Sequence, residues 1–284
     1  MTQKDSSTAA QLSPRLKEIL ASHTGPAQDV SSLKKTSHVL SYTLEDAKEK
    51  KVEGGWLVLM TCALATANST TITVGHLYRM ATRQDPEDAA TRHSLADAVH
   101  KAALMREAIL KATLIIGVPR TILAMARLHE ALEEDVKDNL RKSELRKFTP
   151  ENVNEFKARG NALADSIYGP QSDGMRAKLR SYHPDFTEAV TQIYAAVFAS
   201  FPEEAAVQGN LSRALNSVVA IACLRTEGSG VGELLNGHAL GLLRARDEPG
   251  LPTEDCWLAS EEGLEWVLAT VDMLLDVLRS GGSD

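Results

Sequence analysis

Cysteine is scarce in this 284-residue chain, which has only Cys62, Cys223 and Cys256. No Cys-x-x-Cys pair and no Cys/His group at zinc-ligand spacing occurs, so neither a dithiol redox centre nor a structural zinc site is written here. Three widely separated thiols fit a reducing compartment. Aromatic residues are few as well, at five Phe, three Trp and five Tyr, and 38 acidic against 31 basic side chains give a net charge of −7. Little is left to stack bases or neutralise phosphates, and nucleic acid is not an expected partner. The longest apolar run, 56–67, is short for a bilayer span and contains Thr61 and Thr66, so no membrane partner is expected and the chain reads as soluble. The N-terminus lacks the apolar stretch of a secretory signal. It is mildly basic and rich in Ser and Thr but carries Asp5 and Glu18, which favours a cytoplasmic protein and leaves a mitochondrial one open. The C-terminal Gly-Gly-Ser-Asp is not a peroxisomal tripeptide.

What is present is helix-forming. Apolar residues recur every three or four positions, no segment alternates as a strand would, and the expected class is all-α. Ser13-Pro14 opens a short helix, and further helices are expected over 32–51, from Trp56, from Thr73, and from Asp85-Pro86-Glu87 to Ile116, with a break near Ser94. Gly117-Val118-Pro119 stops one helix and starts another. The charged stretch 133–147 reads as a solvated helix end and linker. Later helices are expected near 150–166, 186–200, 212–226, 232–245 and 261–279, the last with an apolar stripe of Leu264, Val267, Leu268, Val271, Leu274, Leu275 and Leu278.

The chain also echoes itself. Residues 62–80 (CALATANSTTITVGHLYRM) and 223–242 (CLRTEGSGVGELLNGHALGL) align with short gaps, so that Cys62 matches Cys223, Thr66 matches Thr226, Ser69 matches Ser229 and Gly75-His76 matches Gly237-His238. Each cysteine ends an apolar segment, LVLMTC or VVAIAC. A duplicated helical unit follows, with a division into an N-terminal extension (1–31), a first unit (32–137), a charged linker (138–149) and a second, diverged unit (150–284).

Together with the echo, the segment REAILKATLIIGVPRTILAMARL (106–128) resembles the helix, Gly-x-Pro, helix signature of the carboxymuconolactone decarboxylase-like family of the alkylhydroperoxidase D-like superfamily. Tyr168-Gly169, His183-Pro184-Asp185, SVVAIACL and Gly237-His238 look like a second copy. The resemblance implies an alkylhydroperoxidase D-like helical fold, a homo-oligomer, a small pocket between helices, and chemistry without a cofactor on a small organic acid or carbonyl compound. The superfamily's peroxidases use a Cys-x-x-Cys, so thiol peroxidase activity is not expected of this chain. Where the decarboxylases carry Arg-Glu, this sequence has Gly55-Trp56 and Asn216-Ser217, and its second half has no Gly-x-Pro step.

Six residues become candidates. His238 and His76 have imidazoles suited to moving a proton near neutral pH, or else they merely start and pack a helix. Glu107 is a second acid/base candidate, and Arg106 and Arg120 are candidates for holding a carboxylate, the bland alternative being ordinary ion pairs. Gly117 leaves free N–H groups at a helix start, where an anion could sit, but an architectural hinge is the simpler reading. Cys62 and Cys223 read as buried small hydrophobes, Cys256 as an exposed loop thiol, and His93 with His100 as packing or solvent-facing residues with no metal expected. The loop 247–259 suits either a lid or a connector. Two functions compete: a decarboxylase-like or isomerase-like enzyme, and a non-catalytic helical scaffold or small-ligand-binding protein. A single-cysteine redox protein ranks last. The enzyme reading gains if His238, His76 or Glu107 lines a closed pocket of about 300 Å3 or more, and falls if all three point to bulk solvent or are locked in core hydrogen bonds.

Overall fold

The computed structural model describes residues 30–69, 73–202, 205–228, 230–248 and 250–280, and among them the protein is all-α, with no strand. The helices are α1 (Val30–Lys50), α2 (Glu53–Ala67), α3 (Val74–Thr82), α4 (Leu95–Ala131), α5 (Glu134–Asn139), α6 (Val153–Tyr168), α7 (Ser172–Tyr182), α8 (Phe186–Ile193), α9 (Arg213–Glu227), α10 (Gly232–Ala245), α11 (Thr253–Leu258) and α12 (Glu261–Ser280). The expected helix at Ser13-Pro14 lies outside the described residues.

Helix α2 is apolar all round, which makes it a core helix, and it packs on α4, α9, α1 and α3. Its first turn lacks a side-chain N-cap, and Glu254 of α11 takes that place by accepting the Gly55 N–H at 2.6 Å. Within the stretch expected to be a lid or a connector, α11 is thereby pinned to the start of α2. Helix α1 lays Thr36, Leu40, Thr43 and Ala47 inward, and Trp56 donates its indole N–H to Thr43 Oγ1 at 2.9 Å. One hydrophobic cluster takes residues from both halves of the chain. Helices α2 and α9 pack together there, and the thiols of Cys62 and Cys223 meet; burial and then the neighbouring thiol hold Cys62 well above the usual thiol range.

Two stretches, around Ser94 and over 133–147, differ from the sequence expectation. Ser94 does not break a helix but caps α4, its Oγ accepting the Asp97 N–H at 3.1 Å, and a loop with a short 3-10 turn (Ala89–Thr91) precedes it. At Gly117, as expected, one helical stretch stops and another starts, the residue standing at φ 73° and ψ 165°, so that α4 is two helices joined across a kink. Its freed carbonyl accepts the Thr121 hydroxyl at 2.9 Å, and Pro119 needs no N–H partner in the turn that follows. The stretch 133–147 is not merely solvated, since it contains α5, buries Val136 and Leu140, and sends Arg146 inward. Helices α7 and α11 were not foreseen. Helix α8 ends in a wider π turn, Tyr194–Phe198.

By length and apolar content α4 would suffice to cross a membrane. Its first part is a core helix here, packed on α2, α3 and α9.

Candidate functional site

Thr73 caps α3, its Oγ1 accepting the Gly75 N–H at 3.2 Å, and the box is closed by His76, whose Nδ1 accepts the Thr73 N–H at 3.4 Å. The Thr73 hydroxyl oxygen also lies 3.2 Å from the same Nδ1, so Thr73 fixes the orientation of the ring. Gly75 is required by packing. A Cβ there would lie 2.8 Å from the Arg127 carbonyl and 2.9 Å from the Ala131 methyl, so α3 can meet α4 this closely only through glycine.

That close crossing puts His76 on the wall of a groove of about 440 Å3, with Arg79, Arg127, Glu130, Leu123 and Ala126. The groove is open to solvent rather than closed. Burial, then the Arg79 charge, lowers the His76 pKa against a smaller opposing pull from Glu87, which favours the neutral ring at neutral pH. Arg79 has its Nε buried without a hydrogen-bond partner and its nearest carboxylate, Glu87, at 4.0 Å. Arg127 donates to the Ser69 carbonyl at 3.2 Å. Two cations, a hydrogen-bond donor and a carboxylate thus converge on one groove. Arg79, Arg127 and Glu130 were not singled out in the sequence, although Arg79 lies three residues after His76 on one helical face.

Glu107 is elsewhere. It is 5% exposed, pairs with both guanidinium nitrogens of Arg146, and has Lys111 Nζ at 3.8 Å. Lys111 is fully buried and donates to the Phe198 carbonyl at 2.5 Å, while Arg146 Nη2 is 3.5 Å from the Val197 carbonyl. Both carbonyls belong to the π turn, whose C-terminal end attracts cations. Burial pushes Lys111 down to about 7, opposed by Glu107. Glu107 also reaches a small cleft of about 120 Å3, shared with Arg106 and Arg141.

His238 is 4% exposed in the middle of α10, its ring near those of Tyr168 and Phe198 at 6.1 and 6.2 Å between centroids. Its Nδ1 has no hydrogen-bond partner, and burial, then the Arg213 charge, pushes its pKa down to about 4. Arg213 is itself occupied by Ser166, Ser217 and the Gly241 carbonyl. Arg120 turns outward to pair with Glu227, so it shares no cavity with Arg106. Gly117 is the kink. The six candidates therefore do not form one site: His76 lines the groove, Arg106 and Glu107 share the small cleft, and His238, Arg120 and Gly117 stand apart.

His93 and His100 border a larger groove of about 580 Å3 under α1, where Lys101 is already tied to Asp97 and to the Ala81 carbonyl. Cys62 and Cys223 are buried and Cys256 is exposed. Among the described residues no group of His, Cys, Asp and Glu is placed to hold a metal ion. No protein-family model matches this chain, and neither a curated protein nor a solved structure gives a significant match.

Proposed function

We propose that the chain is a carboxymuconolactone decarboxylase-like enzyme that works without a cofactor on a small oxo acid or lactone acid, in the His76 groove. The observation that carries this reading is His76, its ring held at Nδ1 by Thr73 and its pKa lowered by burial, beside Arg79 and Arg127. The arginines hold the substrate carboxylate. His76 donates to the carbonyl oxygen and stabilises the enolate that forms when carbon dioxide or a proton leaves, a task for which a neutral imidazole is suited. Glu130 accepts or returns the proton at carbon. The matching of Gly75-His76 with Gly237-His238, and the meeting of Cys62 with Cys223, support a unit used twice, of which the first copy keeps an accessible histidine. The exposed Val118, Ile122 and Leu123, on the α4 turns beside the groove, support the homo-oligomer that the resemblance implies, with a second copy covering them.

The test is turnover of a panel of 3-oxo acids and γ-lactone acids, read as carbon dioxide release and as deuterium uptake from solvent by NMR. Turnover lost in His76→Asn and Arg127→Gln but kept in His238→Gln is expected. No turnover across the panel, or turnover indifferent to His76→Asn, overturns the proposal. A second reading, a small-ligand-binding protein without catalysis, is favoured by the burial of His238 and Glu107, two of the three acid/base candidates, in core packing. It predicts ligand-induced thermal stabilisation without turnover.

A further inference from the structure

A second cavity, of about 430 Å3, lies on another face of the same stretch of α4, between it and α5, and shares only Ala126 with the His76 groove. Met125 and Leu132 give it an apolar floor. Its charged groups are all basic, in a chain whose net charge is −7. Lys137 is engaged by the exposed Glu134 at 2.7 Å, and Lys142 by the Lys137 carbonyl at 2.6 Å. The two arginines are less well served. Arg106 makes no hydrogen bond or ion pair among the described residues, and Arg141, which donates to the Ser143 carbonyl, has its Nε buried without a partner.

Burial, then the charge of Arg141, holds Arg106 below the usual arginine range. The one carboxylate beside them, Glu107, is already taken by Arg146 and Lys111. Two guanidinium groups in a half-desolvated place repel, and an anion between them removes that cost while using their forked donors. The small cleft past Met125 is lined by the same two arginines together with Gln208 and the Glu107 carboxylate that Arg146 neutralises, and so extends the room on the arginine side.

We propose that this cavity binds a small organic dianion, a phosphate monoester or an α,ω-dicarboxylate, with an anionic group held between Arg106 and Arg141 and a short hydrocarbon part on Met125 and Leu132. The site is independent of the His76 groove and of what happens there.

Titration calorimetry on the full chain with hexyl phosphate, adipate and inorganic phosphate tests it. Saturable binding of hexyl phosphate or adipate is expected, and which of the two binds tells the ester from the diacid. Inorganic phosphate, which lacks the hydrocarbon part, should bind at least several-fold more weakly. Arg106→Gln and Arg141→Gln should each weaken binding about tenfold or more, and His76→Asn should leave it unchanged. Because Arg106 has no bonds to lose, Arg106→Gln should melt no lower than the wild type, which separates lost binding from lost folding. The proposal is overturned if neither organic anion binds saturably, or if binding survives both arginine substitutions.

Discussion

Glu107 accepts both guanidinium nitrogens of Arg146, 39 residues further along the chain, in a place where the carboxylate is almost wholly buried. With Lys111 on the next turn of α4, the pair ties the first half of the chain to the π turn after α8. Removing the acid would leave the inward-turned Arg146 without its carboxylate and take from Lys111 the charge that opposes its desolvation, whereas removing Lys111 leaves the Glu107–Arg146 pair whole. Glu107→Gln should therefore cost about 3–5 kcal/mol of stability, and Lys111→Met distinctly less. Urea unfolding of both variants and of the double variant measures this. The double variant should be less damaged than the two losses added together, and strict additivity would show that the groups do not interact.

Burial of His238 makes a prediction about acid. The unfolded chain binds a proton at this residue near its ordinary value of 6.5, whereas the native state resists down to about 4. Between those values the unfolded state holds more protons, so stability conferred by the neutral ring is present above 6.5 and lost as the pH falls toward 4. The slope from this one group is of order 1 kcal/mol per pH unit. Urea unfolding at pH 7, 6 and 5 should show it in the wild type and a shallower dependence in His238→Gln. Equal slopes in the two proteins would mean that the ring takes up its proton in the folded state at the same pH as in the unfolded chain.

The parts that were legible in the sequence are those governed by local periodicity. The stripe of α12, the apolar 56–67 and the turn signals at Gly117 and Thr149-Pro150 place most helices within a few residues of where they form. The junction at Gly117 was readable from its glycine and proline, whereas the Thr121 hydroxyl that satisfies the freed carbonyl makes no periodic signal. The sites were less legible. His76 and His238 look alike in sequence, yet one caps a helix at a groove and the other lies in mid-helix within the core, and only tertiary packing separates them. Arg146 sits in a charged stretch that reads as solvated, and nothing local announces that it turns inward to Glu107. Arg120 seemed well placed beside the Gly-Val-Pro turn, but Glu227 of α9 takes it.

Gly117 gives a test of the kink. Its φ of 73° with ψ of 165° is a region only glycine occupies without strain, while the space around it is open, the nearest atom to a Cβ being Pro119 Cδ at 3.8 Å. Gly117→Ala should then cost about 1–3 kcal/mol through backbone conformation alone. The urea midpoint should fall with the m-value unchanged. A variant as stable as the wild type would mean that α4 runs through this point without the kink.

Gly75 gives the sharper test, because packing and the proposed chemistry meet there. A methyl at this position runs into the Arg127 carbonyl and the Ala131 side chain, both on α4, and neither is the free end of a flexible chain. Gly75→Ala must push α3 away from α4, and the movement is made at the residue next to His76, between the histidine and the arginine that are to act together. Overpacking of this kind costs about 1–3 kcal/mol, a loss visible in thermal unfolding. The effect on the groove should be larger than the effect on the fold: at a temperature where the variant is fully folded, turnover of any substrate found for the wild type should fall by about tenfold or more, since shifts near 1 Å between catalytic groups cost that much. The anion cavity lined by Arg106 and Arg141 faces another side of α4 and should bind hexyl phosphate or adipate as before. Turnover kept at the wild-type level in a destabilised Gly75→Ala would place the chemistry outside the crossing of α3 and α4, and with it outside the His76 groove.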